Sequence, residues 1–169
     1  LQETGSEILI SPNGSPFDWP KPDQRLNVVV ARVKETGLPL VYLNQIGGQD
    51  ELVFDGASFV LNSDLTLPIQ MPAWEERVSL IEMRRTAGGW VCLQGERARI
   101  EEKDGAAYHA CVLGLRDYVD KNGFPGVVLG MSGGVDSALV AALATDALGP
   151  ERVHCGMLPY RFTSNQSLS

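Results

Sequence analysis

Apolar and polar positions follow two periods along this chain. Short apolar runs bounded by turn residues predict strands at Glu7–Ser11, Leu40–Asn44, Glu51–Phe54, Ser58–Asn62, Leu67–Gln70, Arg77–Met83 and Gly89–Leu93. Between the first two, the spacing changes to that of a helix from about Asp23 to Thr36. Leu26, Val29, Val30 and Val33 share one face there, and Gly37 is the stop. With the turn-rich Pro12-Asn13-Gly14-Ser15-Pro16 segment before it, this is one αβ step of a layered fold. The run Glu7-Ile8-Leu9-Ile10 calls for strand partners on both sides. The later short runs suggest antiparallel hairpins that close a sheet.

The pattern changes again near residue 100. Gln94–Gly105 is charged and poor in bulky apolar residues, which divides the chain into a first domain over 1–94, a linker over 95–105 and a second domain over 106–169. A helix from Ala106 carries Tyr108, Cys111, Val112, Leu115 and Val119 on one stripe and stops at Asn122-Gly123. A βαβ unit follows, with strands at Gly126–Gly130 and Arg152–Leu158 and a helix over Ala138–Leu148; His154 and Cys155 read as packing residues. The chain starts at Leu1 close to a β-type run and stops at Ser169 where Ser164-Asn165-Gln166-Ser167 offers a helix start, so both ends read as cut. One strand, loop and helix cannot bury their own faces, so the second domain reads as the opening of a larger α/β domain.

Composition narrows the partners. The net charge is -7, which argues against a nucleic-acid or anionic-membrane partner because phosphate-backbone binders carry a basic face. No apolar run approaches the roughly 20 residues of a membrane span, and no signal peptide is visible. Three cysteines, Cys92, Cys111 and Cys155, show no metal-type spacing and read as buried thiols in a reducing cytoplasm.

The most informative chemistry lies at the strand-to-helix junction of the βαβ unit, Gly130-Met131-Ser132-Gly133-Gly134-Val135-Asp136-Ser137. Adjacent glycines let backbone approach an anion closely, and the N–H groups of a new helix point at it. Ser132 and Ser137 add hydroxyl donors, and Asp136 adds a carboxylate able to hold a magnesium ion that accompanies a nucleotide. The lysine of a G-x-x-x-x-G-K-[ST] loop is missing, so the loop suits pyrophosphate as a leaving group. A tight strand-to-helix turn with a serine cap is the bland alternative.

Four blocks in order carry a family resemblance: Ile8 to Phe17, Gly48 to Gly56, Gly114 to Val119 with Lys121 to Phe124, and the loop over 130–137. Together they resemble the glutamine-dependent NAD synthetases, in which a nitrilase-like glutaminase domain precedes an ATP pyrophosphatase-type synthetase domain. The implied fold class is α/β: the C-terminal part of a nitrilase-like αββα sandwich, then the start of an adenine-nucleotide α-hydrolase-like (Rossmann-like) parallel domain.

The resemblance implies adenylation of nicotinic acid adenine dinucleotide (deamido-NAD) by ATP with loss of pyrophosphate, then displacement of AMP by ammonia drawn from glutamine. It places ATP on Gly130, Met131, Ser132, Gly133, Gly134, Val135, Asp136 and Ser137, with Mg2+ on Asp136, and it implies a homo-oligomer. The glutaminase Glu, Lys and Cys of the family would lie upstream of Leu1, and none of the three cysteines here sits in the nucleophile's block. What remains of the glutamine pocket is Ser15 and Lys21, which offer a hydroxyl donor and a cation to an α-carboxylate. Two other readings stay open: a different amidotransferase or tRNA thiolation enzyme with a similar loop, and an inactive nucleotide-binding piece.

Three further residues invite attention. His109 reads as a surface or packing histidine, and Asp50-Glu51 as an exposed hairpin corner. Arg161, just after the last strand, lies at an edge where phosphate or adenine could meet it.

Overall fold

A computed structural model describes residues 5–101 and 103–157. The chain divides into two compact units, each mixed α/β. Among the described residues, one takes in the chain up to Gly47 and again Val53–Ala107; the other takes in Gly48–Leu52 and everything from Tyr108 onward.

The first unit is built on a four-stranded sheet. Strand β1 (Leu9–Asn13) pairs in parallel with β2 (Leu40–Asn44), which pairs antiparallel with β5 (Phe59–Leu61), which in turn pairs antiparallel with β6 (Ile69–Gln70). A parallel pair needs a crossover, and helix α1 (Lys21–Thr36) supplies it. Side chains of a strand alternate between faces, so Leu40 and Tyr42 of β2 and Phe59 and Leu61 of β5 meet Val29 and Val33 of α1 in one buried cluster. Val60, facing the other way, joins Ile69 and Cys92 in a second. Each of these large apolar side chains contributes about 1.5–3 kcal/mol on burial.

Where the elements depart from expectation, the cause is local. Helix α1 starts at Lys21 rather than Asp23 because Pro22 sits in its first turn, where a missing N–H costs nothing. Its core stripe runs Arg25, Val29, Val33, with Leu26 exposed, so the apolar face proposed from sequence is rotated by one residue. Strand β1 lies at the sheet edge with one partner, not two, among the described residues.

The alternation over Arg77–Met83 produces no strand until its last residue: Val78 and Leu80 are almost fully exposed, and the strand is β7 (Met83–Thr86), paired with β8 (Gly89–Cys92) in a separate ribbon. The hairpin expected around Asp50-Glu51 joins β3 (Ile46–Gln49) to β4 (Leu52–Asp55), and β3 itself was not picked out as a strand because its two glycines mask that character.

Asn62 substitutes for a strand edge. Its amide accepts a hydrogen bond from the Cys92 N–H (2.8 Å) and donates to the Cys92 carbonyl (3.1 Å), satisfying both backbone groups in the interior.

In the second unit, helix α2 (Lys103–Lys121), whose first turn begins in the other unit, is followed by β9 (Val127–Gly130), α3 (Val135–Leu148), a 3-10 turn over Pro150–Arg152 and β10 (Val153–Gly156). Strands β9 and β10 are parallel neighbours in direct register, Val127 opposite Val153 and Gly130 opposite Gly156. Helix α2 buries Leu113 and Val119, while Cys111, placed on the stripe from sequence, is exposed. Gly126 is required by contact: a Cβ there would lie 2.2 Å from the Arg152 carbonyl oxygen. The Arg152 guanidinium fastens the segment entering β9, donating to the Pro125 and Phe124 carbonyls at 3.0 Å each and to Asp120 at 2.8 Å.

Candidate active site

The 130–137 loop forms where β9 runs into α3. Met131 N–H donates to the Gly156 carbonyl (2.9 Å), so the ladder with β10 extends one residue beyond the strand. Gly133 then adopts φ +77°, a left-handed conformation that glycine reaches without strain and most residues do not, and Gly134, extended, is the N-cap of α3. The helix begins at Val135, three residues earlier than the expected Ala138, which puts Val135, Asp136 and Ser137 in its first turn.

That correction matters chemically. No side chain caps this helix, so its first amides keep their donors, with Asp136 in the same turn. The two serine hydroxyls lie 3.1 Å apart; Ser137 donates to the Gly134 carbonyl (2.9 Å), and the Ser132 oxygen accepts from the Gly134 amide (3.4 Å). The loop is thus braced by its own hydroxyls, and its residues 132–136 are exposed. Among the described residues no group of three or more His, Cys, Asp or Glu could hold a metal ion. A single exposed carboxylate at a helix start fits Mg2+, which takes one or two carboxylates and completes its octahedron with phosphate oxygens and water.

A second constellation, in the first unit, surrounds Ser15. Its amide donates to Asn44 Oδ1 (2.8 Å), and its carbonyl accepts from Asn44 Nδ2 (3.0 Å) and Arg25 (2.9 Å). Arg25 Nε–H donates to the Ser15 hydroxyl oxygen at 3.1 Å. The same guanidinium forms a two-pronged pair with Asp55 at 2.8 Å on both arms, the side chains only 6% and 2% exposed. Lys21, half-buried, stands at the first position of α1 and forms no ion pair among the described residues. Of the two residues proposed from sequence, Ser15 lies inside this network, while Arg25, Asn44 and Asp55 were not singled out. One signal was available: an arginine spaced four residues ahead of Val29 and eight ahead of Val33 must bring a buried acid with it.

The tip of the β3–β4 ribbon belongs to the second unit and is clasped by α2. Gly48 N–H donates to Asp117 (2.7 Å), and its carbonyl accepts from Lys121 Nζ (2.6 Å), which also pairs with Asp117 at 3.1 Å. A Cβ on Gly48 would lie 3.1 Å from the Gly114 Cα. Asp50 and Glu51 form the exposed corner of this ribbon, and Asp50 has φ +52°.

His109 sits beside Tyr108, ring centroids 6.1 Å apart. Tyr108 donates to Asp146 (2.7 Å), which with some burial raises its pKa above the ordinary phenol value. Burial pushes the Cys92 thiol up, away from thiolate character. Cys111 and Cys155 are exposed, contrary to the expectation of buried thiols. Arg161 lies outside the described residues.

Comparison with known proteins shows similarity along nearly the whole chain. The NAD synthase family model matches residues 107–169, which include the loop. The glutamine-dependent NAD(+) synthetase of Rhodobacter capsulatus is 52% identical over 168 residues, covering 99% of this chain. Over nearly its whole length the chain is similar to part of the glutamine-dependent NAD(+) synthetases. It spans 30% of the length of that relative, and 31% of the Acinetobacter baylyi enzyme of the same name, which is 38% identical over 176 residues.

A glutamine-dependent NAD+ synthetase structure from Acinetobacter baumannii, in complex with adenosine diphosphate, superposes with a TM-score of 0.89 at 40% identity, covering 98% of this chain and 31% of that one. The enzyme from Cytophaga hutchinsonii has a TM-score of 0.75 at 20% identity, covers 98% of this chain and 33% of that one, and shares the fold. No helix of the described residues is long and apolar enough to cross a membrane.

Proposed function

We propose that this chain supplies the ATP loop and part of the glutamine pocket of a cytoplasmic, homo-oligomeric enzyme that makes NAD from deamido-NAD, ATP and glutamine. In this reading residues 1–94 are the C-terminal part of a nitrilase-like αββα glutaminase domain. Residues 95–105 are the connecting segment, its last three already in the first turn of α2, and 106–169 begin a Rossmann-like ATP pyrophosphatase-type synthetase domain. The observation that carries the reading is the uncapped start of α3 behind Gly133-Gly134, within a stretch matched by the NAD synthase model.

The reaction is the one the resemblance implies, and the loop's donors suit it. The nicotinate carboxylate attacks the α-phosphorus of ATP; a C–O–P linkage forms, the α–β bridge breaks, and pyrophosphate leaves with the electron pair. Ammonia then attacks the acyl carbon, forms the amide, loses a proton and expels AMP. Charge gathers on the leaving phosphates, which the Gly133 and Val135 amides would meet directly and the Gly134 amide after releasing Ser132. The Ser132 and Ser137 hydroxyls, now bonded to each other and to Gly134, would exchange those bonds for phosphate oxygens. Asp136 would hold Mg2+, which when bound neutralises phosphate charge.

Ammonia comes from glutamine, whose α-carboxylate is held by Ser15 and Lys21. The test is Asp136→Asn in a full-length synthetase carrying this chain, assayed with ammonia and with glutamine. Loss of NAD formation from both sources is expected. Unchanged ammonia-driven synthesis removes Asp136 from the ATP site.

A further inference from the structure

We infer that Arg25, fixed by Asp55, is the positioning residue that aims the Ser15 hydroxyl proton at a carboxylate ligand; this rests on the reading of Ser15 as part of the glutamine pocket. A buried ion pair is a weak device for stability, because desolvating both charges offsets their attraction, and an apolar pair of similar volume would often serve as well. What this pair does that an apolar pair could not is hold a loop. Beyond Asp55, the guanidinium donates to the Ser15 hydroxyl oxygen and to the Ser15 and Pro16 carbonyls. Asn44 closes the same turn from the other side through the Ser15 amide and carbonyl.

The direction of the Arg25 to Ser15 bond is the decisive detail. A serine hydroxyl has one proton and two lone pairs, and Arg25 Nε–H is a donor only. It fills a lone pair of Ser15 Oγ at 3.1 Å and turns the hydroxyl proton away from itself. That proton has no acceptor among the described residues, and the serine is half-buried, not lost in the core. A cation behind the oxygen also polarises the O–H bond, which strengthens its donation to an anion. The ligand chemistry that suits this donor is a carboxylate, and on the glutamine reading it is the α-carboxylate.

The experiment uses a full-length synthetase carrying this chain, with KM for glutamine and for its α-carboxamide measured separately and ammonia-driven synthesis as the check on folding. Ser15→Ala is expected to raise the glutamine KM about tenfold or more, the loss of one charge-assisted hydrogen bond, and to leave the α-carboxamide little changed. Arg25→Lys keeps a charge for Asp55 but cannot serve the hydroxyl and two carbonyls at once. It is expected to reproduce the same selective loss, and adding Ser15→Ala to it is expected to cost nothing further.

If Arg25→Lys fails the folding check, Asp55→Asn takes its place in the same cycle. Multiplicative losses in the double variant, or equal losses for glutamine and its α-carboxamide, overturn the positioning role. An unchanged glutamine KM in Ser15→Ala overturns the pocket reading itself, whatever Arg25 does.

Discussion

Gly126→Ala is the substitution whose cost can be worked most directly. Its Cβ would sit 2.2 Å from the Arg152 carbonyl oxygen and 3.0 Å from the carbonyl carbon, both backbone atoms. Ordinary contact begins at 3.4 Å, so the entry to β9 and the turn before β10 must part by roughly 1 Å. A hydrogen bond stretched that far is lost, and the Val127–Val153 pair lies next to the clash. Overpacking of about 1–3 kcal/mol plus about 1 kcal/mol for a lost ladder bond gives about 2–4 kcal/mol.

Gly130→Ala is the matched control, since Gly130 ends the strand that Gly126 precedes and has nothing within 4 Å of its Cβ. It is expected to change stability by less than about 1 kcal/mol. Thermal unfolding of the two variants beside the parent should show Gly126→Ala lower by about 4–16 °C. Equal midpoints for the two variants would refute the close approach that sets β9 against β10, and with it the frame of the 130–137 loop.

The remaining predictions concern the other sites. Gly48→Ala should destabilise the second unit by about 1–3 kcal/mol in urea unfolding, because its methyl group meets Gly114 backbone at 3.1 Å. Lys21→Ala should raise the glutamine KM and spare ammonia-driven synthesis; an equal loss with both nitrogen sources would remove Lys21 from the glutamine pocket. The Asp64 carboxyl is held below its ordinary value by the Thr66 hydroxyl and amide. Its stabilisation is present above the ordinary carboxylate range and fades as pH falls through the lowered value. Asp64→Asn should therefore lower the melting temperature slightly at neutral pH and leave it unchanged in strong acid.

The sequence is legible where one period dominates and opaque where two constraints compete. The loop, α1, β2 and the βαβ order can be read because glycine pairs, helical spacing and apolar runs agree. The buried network around Ser15 is only half legible: Arg25 falls in register with Val29 and Val33, but Asp55 is thirty residues away and alone resembles a surface charge. Gly47 and Gly48 hide a strand, and at Gly48 the missing Cβ allows close approach to α2, a tertiary demand that overrides β-propensity. The converse occurs at Val78 and Leu80, which alternate like a strand but lie exposed with no strand paired to them among the described residues. The start of α3 was misplaced by three residues because glycine at the N-cap looks like loop, yet those residues put Asp136 inside the helix's first turn.

The central claim is that the loop from Gly130 to Ser137 cleaves ATP between its α- and β-phosphates for a dinucleotide carboxylate. The direct measurement is product analysis from a full-length synthetase carrying this chain, given deamido-NAD, ATP, Mg2+ and ammonia. The account predicts NAD, AMP and pyrophosphate in equal amounts, and their joint loss on Asp136→Asn. Formation of ADP and orthophosphate, or NAD production unaffected by Asp136→Asn, would contradict it.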